Sequence, residues 1–215
     1  MIEQIDWFYI SSKPSAIKII GNNLDKVNWS ELSANVAAEK LLRENKTKID
    51  WKEVSKNVGC FNLLYENQDK IDWNNICINY NPRVIKEIIA NNLDKNLDWS
   101  KLSENNTNEA IELLINNKEK IDWRMLSTNN NDKAIELLIA NENKIDWKMF
   151  STNNNDRAVE LLIINENKID WYFISINPNI KLFELFKNNR NKINWSNLEK
   201  FNINKKLVDL LINNN

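Results

Sequence analysis

The chain has 215 residues, with 29 Lys and Arg against 30 Asp and Glu, for a formal net charge of −1. That balance excludes a large basic footprint for nucleic acid or an anionic membrane. Histidine is absent, so imidazole is excluded as general base, proton shuttle or metal ligand.

Nine tryptophans punctuate the chain, and each follows an apolar residue and an Asp or Asn, from Ile5-Asp6-Trp7 to Ile193-Asn194-Trp195. Their spacings are 22, 22, 22, 26, 24, 24, 24 and 24 residues. A fixed period of this size predicts a stack of small units, each touching its neighbours. The repeats begin near Ile5, Val27, Ile49, Ile71, Leu97, Ile121, Ile145, Ile169 and Ile193, and no Gly/Pro/Ser-rich linker interrupts them. One continuous array over 1–215 is expected.

The chain enters the first repeat at once, with no basic segment and apolar run that would form a signal peptide. No apolar run approaches the ~20 residues needed to span a bilayer. An intracellular protein is the expectation. The first repeat carries Phe8 and Tyr9 directly after its Trp. Cys60 and Cys77 lie 17 residues apart and fit no metal or redox spacing, so buried free thiols are expected. The 26-residue unit from Trp73 to Trp99 is the irregular one, with its extra residues around Val84–Ile89 and Lys95-Asn96-Leu97.

Ile145 to Lys168, IDWKMFSTNNNDRAVELLIINENK, is the type unit. Asp146 is a good N-cap for a helix of about two turns that carries Trp147 and Phe150 at i, i+3. Asn153 is expected to end that helix in the left-handed conformation that Asn tolerates. Asn155 or Asp156 can cap a second helix, in which Ala158, Val159, Leu161 and Leu162 form one apolar face. Asn165 stands at its C-terminal end. Periods of 22–24 also suit a leucine-rich repeat. That fold needs a period-2 strand, yet the residue after each Trp is mostly polar (Ser30, Lys52, Asn74, Arg124). The predicted fold class is therefore all-α, an α-solenoid of about nine two-helix repeats of 22–26 residues.

Stacking converts periodic residues into columns. The Trp column is read as packing between repeats and not as a row of stacking surfaces, because it never varies. The Ser column (Ser11, Ser33, Ser55, Cys77, Ser103, Ser127, Ser151, Ser175 and Glu199) has no general base beside it and is read as a small residue that lets the next backbone approach or that bonds locally at a helix end. The Asn column (Asn35, Asn57, Asn79, Asn105, Asn129, Asn153, Asn177) is expected to pair backbone groups of stacked turns. The Lys column, such as Lys144 and Lys168, precedes an Asp or Asn by two residues, so its charge should cancel at a solvated rim.

The string Trp123-Arg124-Met125-Leu126-Ser127-Thr128-Asn129, then Ala134 to Leu138, then Asn141 to Trp147 resembles the Trp/Asn-rich tandem repeats of large DNA viruses of amoebae and algae. This resemblance covers nearly the whole chain and implies a viral or virus-like repeat protein, with no activity attached. Asn177-Pro178-Asn179 also resembles the variant leucine-rich repeat, an α-solenoid family.

No enzymatic constellation, cofactor or metal site is read from the residues. Specificity is expected where the repeats diverge, at the first, second and fifth residues after each Trp. The eighth repeat stands out there: Tyr172, Phe173 and Ile176, followed by Pro178 and Ile180, form a candidate protein contact. The expected function is a non-enzymatic scaffold for protein–protein interaction. The alternatives are a structural or self-assembling, homo-oligomeric protein such as a virion component, and a nucleic-acid-binding repeat protein. The apolar segment Leu210-Leu211-Ile212 without an evident polar cap motivates the self-assembly alternative.

Overall fold

A computed structural model describes residues 5–93, 95–201 and 205–213. The segments 1–4 and 214–215, which bear on the terminal readings above, lie outside the described residues. Among the described residues the chain is all-helical, built from short helices and 3₁₀ turns with no strand. The leucine-rich-repeat alternative therefore falls. The repeats group into two compact units, 1–113 and 114–215, with the division inside the helix Asn108–Asn116.

In every repeat but the fourth a helix starts on the Trp; in the fourth, Trp73 opens a turn that leads into the 3₁₀ segment Ile76–Ile78. In the first unit the opening helices include Trp29–Ala34 and Trp51–Lys56; in the second they include Trp123–Thr128 and Trp147–Phe150. The preceding Asp or Asn caps them as its spacing predicts. Asp122 Oδ1 accepts the Met125 N–H at 3.1 Å, Asp146 the Met149 N–H at 3.0 Å, and Asn28 the Glu31 N–H at 3.0 Å. Helices this short are unstable alone. Within each unit, first helices pack on first helices and second helices on second helices. From the second repeat on, the residue three after the Trp is fully buried at that contact, as with Leu32, Val54, Leu126 and Phe150; its counterpart in the first repeat, Ile10, is half-buried.

Two polar ladders hold the repeats in register. The Ser Oγ donates to the carbonyl of its own Trp and accepts the backbone N–H of the next repeat's Asp. Ser33 makes these bonds at 2.7 Å to Trp29 and 3.0 Å from Asp50; Ser151 makes them at 2.7 Å to Trp147 and 3.0 Å from Asp170. The hydroxyl thus bonds locally at its helix end and also accepts the approaching backbone of the next repeat, so that it ties the two. The Asn ladder is fuller. Asn57 Nδ2 donates to the carbonyls of Ser33 at 2.8 Å and Asn35 at 3.0 Å, and its Oδ1 accepts the Gly59 N–H at 2.9 Å. In the second unit Asn177 Nδ2 donates to Ser151 at 3.1 Å and Asn153 at 2.8 Å, with Asn179 N–H on its Oδ1 at 3.0 Å. Both amide hydrogens and the amide oxygen are used, and among the described residues no buried side-chain nitrogen or oxygen lacks a partner.

No described residue has positive φ, which corrects the left-handed assignment. Asn153 occupies the position expected, but the ladder residues Asn57 (φ −80°, ψ 112°) and Asn129 (φ −74°, ψ 122°) are extended. Asn is chosen here for its amide and not for its backbone tolerance. At the end of the second helix another Asn works in the same way: Asn141 Nδ2 donates to Leu137 O at 2.8 Å and Asn165 Nδ2 to Leu161 O at 3.0 Å. A 3₁₀ turn then follows, such as Glu142–Lys144 or Glu166–Lys168.

Repeat length has a structural meaning. In the 22-residue repeats the second helices, Glu39–Glu44 and Phe61–Glu66, have 6 residues and no side-chain N-cap. The two residues added in the 24-residue repeats supply Asn131 and Asn155 as N-caps, and the helices Asp132–Ile139 and Asp156–Ile164 reach 8 and 9 residues. The 26-residue unit carries one extra residue inside its second helix, absorbed as the π-helical segment Val84–Ile88, and another in the loop before Leu97. Gly59 is required for a different reason: a Cβ there would lie 2.0 Å from the carbonyl oxygen of Val36 in the preceding repeat.

Candidate binding face

With Ser, Asn and the buried apolar positions committed to the interior, the first, second and fifth residues after each Trp remain on the outer side of the first helices. In the second unit the first of these positions holds Arg124 and Lys148, both exposed, then Tyr172, 55% exposed.

Tyr172, Phe173 and Ile176 lie on and just after the helix Trp171–Ile174, whose N-cap Asp170 accepts the N–H groups of Tyr172 at 3.0 Å and Phe173 at 3.1 Å. The structure brings these three together with Asn197 of the last repeat as the walls of an open, largely apolar hollow of about 370 Å³. The Tyr172 and Phe173 rings meet edge to face with centroids 5.3 Å apart. Asn197 Nδ2 donates to the Tyr172 carbonyl at 3.0 Å, which fixes that wall. Lys148 of the preceding repeat lies 5.0 Å over the Phe173 ring. Pro178 and Ile180 do not line the hollow; Ile180 opens the 3₁₀ turn Ile180–Leu182 and is 41% exposed. The Phe183–Phe186 segment does not close over Tyr172. Its Phe186 is buried against Trp171, with ring centroids 6.5 Å apart.

Asn197, Arg124 and Lys148 were not among the residues singled out from the sequence. Reading one column across successive repeats places Lys148 and Tyr172 at the same site in neighbouring units, and that is the signal that was available.

The Trp column differs from its sequence reading. All nine rings are half-buried and none is fully buried. Three of the rings carry a lysine of the turn that follows the second helix: Lys168 lies 4.5 Å over Trp147, Lys192 5.1 Å over Trp171 and Lys26 5.5 Å over Trp7. Two of these lysines also pair with a Glu of the preceding turn, Lys168 with Glu142 at 2.6 Å and Lys192 with Glu166 at 2.9 Å, while Lys26 donates to Asn23 Oδ1 at 3.3 Å. Lys charge is thus met by Glu one repeat back, whereas the nearby Asp serves its helix N-terminus. Exposed pairs of this kind contribute about 0–1 kcal/mol each, but they leave those rings covered.

A second edge carries amide–carboxylate bonds between repeats. Asn155 Nδ2 donates to Asp132 Oδ1 at 2.7 Å, and Asn179 Nδ2 to Asp156 Oδ1 at 2.8 Å. The Asn179 amide, then Lys181, hold the Asp156 carboxyl below its ordinary value. Cys60 and Cys77 are buried free thiols, with Cys77 in the Ser column and its Sγ 3.4 Å from the Trp73 carbonyl. Burial pushes Cys60 up to about 12 and Cys77 up to about 11, far from the thiolate needed for nucleophilic or redox chemistry. Among the described residues no helix is long and apolar enough to cross a membrane. No family model, curated protein or solved structure matches this chain.

Proposed function

We propose that the protein is a non-enzymatic scaffold that binds another protein through the outer face of its first helices, with the hollow at the eighth repeat as the anchor point. The observation that carries this reading is the grouping of Tyr172, Phe173 and Ile176 around an open hollow. The interior ladders repeat from unit to unit, while the outer positions change. Apolar side chains clustered on a surface are the usual sign of a partner, and Tyr and Phe are favoured anchors. A non-catalytic role is supported by the absence of histidine and by buried thiols whose pKa values are raised.

The test is the double variant Tyr172→Ser, Ile176→Thr, which gives the eighth repeat residue types found at these positions in other repeats. The expected result is an unchanged melting temperature with loss of the cross-linked partner complex. A large fall in melting temperature with binding unchanged would place these side chains in the core and refute the reading.

Self-association is the second reading, favoured by exposed isoleucines on the second helices, Ile139, Ile163 and the 80%-exposed Ile164. Light scattering across a concentration series separates the two. The scaffold reading expects a monomer throughout; a concentration-dependent oligomer abolished by Ile164→Asp would replace it.

A further inference from the structure

We infer that the occupant of this face is an acidic, extended peptide segment that seats one bulky apolar side chain in the hollow between Tyr172, Phe173, Ile176 and Asn197. The inference rests on the scaffold reading and adds the chemistry of the partner.

Charge is the first argument. In repeats two, three and five the outer first-helix positions include Glu31, Glu53 and Glu104, and Glu53 pairs with Lys56 of its own helix at 2.7 Å. From the sixth repeat on, those positions hold no Asp or Glu. Arg124 and Lys148 take the position directly after the Trp, one repeat apart, leading to Tyr172. Other carboxylates flank the face. Asp122, Asp146 and Asp170 each accept backbone N–H groups of their own helix, and Glu199 is exposed in the last repeat. Lys148 rests on the Phe173 ring, so a carboxylate meeting it lies next to whatever fills the hollow.

Dimensions are the second argument. Packed helices lie about 8–10 Å apart, so Arg124, Lys148 and Tyr172 fall in steps of roughly that length across three stacked first helices. A chain in the extended polyproline II conformation advances about 3.1 Å per residue with three residues per turn, so every third side chain faces the same way about 9 Å further on. A carboxylate every third residue therefore matches the two cations, and an apolar side chain about three residues further reaches the hollow. An α-helix lying across the same path advances about 1.5 Å per residue and matches this step less simply. The hollow, at about 370 Å³, falls at the small end of ligand-sized pockets, which suits a side chain and not a cofactor.

The probes are three synthetic peptides that share one Phe anchor, flanked by Glu and Asp, by Ser and Asn, or by Lys, together with a single-stranded oligothymidylate. Each is titrated by fluorescence anisotropy against the full chain. The acidic peptide is expected to bind about tenfold more tightly than the neutral one, the effect of two rim ion pairs. Arg124→Glu with Lys148→Glu should abolish or reverse that preference, read as the ratio of the acidic to the neutral peptide's affinity. The hollow variant Tyr172→Ser, Ile176→Thr should weaken both. Melting temperatures of both variants check that the fold is intact. If neutral or Lys-flanked peptides bind as well as the acidic one and still depend on the hollow, the acidic partner is refuted while the scaffold stands. If no peptide binds, or if the oligothymidylate binds more tightly than the acidic peptide, both are refuted.

Discussion

Replacing Asn153 by Ala tests the physical basis of the repeat stack most directly. Asn153 is 2% exposed. Its Nδ2 donates to Ser127 O at 3.1 Å and Asn129 O at 2.9 Å, and its Oδ1 accepts the Asn155 N–H at 3.0 Å. Truncation removes three hydrogen bonds, takes a donor from two carbonyls and strands one amide. A typical bond contributes a net ~1 kcal/mol, and a buried group left unpaired costs ~1–3 kcal/mol. The expected loss is therefore about 3–5 kcal/mol, a large fraction of the ~5–15 kcal/mol that holds a domain together. Equilibrium urea unfolding followed by circular dichroism measures it. A loss under ~1 kcal/mol would mean that water replaces the amide and that the ladder is not a major source of stability. Asn153→Asp sharpens the test. Its carboxylate would lie against the same two carbonyl oxygens, which raises its folded pKa above the unfolded value. A raised folded pKa gives stability that is present below the unfolded pKa and lost as pH climbs through the folded one. At neutral pH this variant should be less stable than Asn153→Ala, and near pH ~4 it should recover part of the difference relative to wild type at the same pH.

Gly59→Ala should destabilise by about 1–3 kcal/mol through overpacking, because its Cβ meets a backbone carbonyl. Gly21→Ala, whose Cβ meets only the flexible Leu41 side chain at 3.6 Å, should be neutral or stabilising by a few tenths to ~1 kcal/mol by reducing unfolded-state entropy; equal thermal shifts would refute the contrast. Trp147→Ala should cost about 2–3 kcal/mol, below the ~3–5 kcal/mol of a fully buried aromatic, since the ring is half-buried beneath Lys168; a loss above ~4 kcal/mol in urea unfolding would contradict that. Cys60 and Cys77 should resist a thiol reagent at pH 8 in the folded protein and react at once in denaturant. Their contribution to stability is present below their ordinary value of 9.0 and is lost as pH rises through about 11 to 12; rapid native-state labelling would refute the burial.

Much of the arrangement was legible in the residues. The Trp period set the repeats, the Asp or Asn before the Trp set the helix starts in all but the fourth repeat, and the 26-residue spacing marked the segment that became π-helical. Asn155 as second-helix cap and Asn165 at its end were readable from local chemistry alone. The candidate contact was legible only in part, since Tyr172, Phe173 and Ile176 converge while Pro178 and Ile180 do not. Asn197, a repeat away, enters the same hollow because stacking places equal positions side by side.

The sequence by itself determined the period, the helical class and the local caps, because these depend on residues within a few positions of one another. Only the tertiary structure decided that Ser bridges two repeats, that Asn acts through its amide in extended backbone, and that Trp lies half-exposed beneath Lys. Each of these depends on which groups of the neighbouring repeat fall within hydrogen-bond or van der Waals reach. Local propensity carries no information about that distance, because packing of one helix layer on the next sets it.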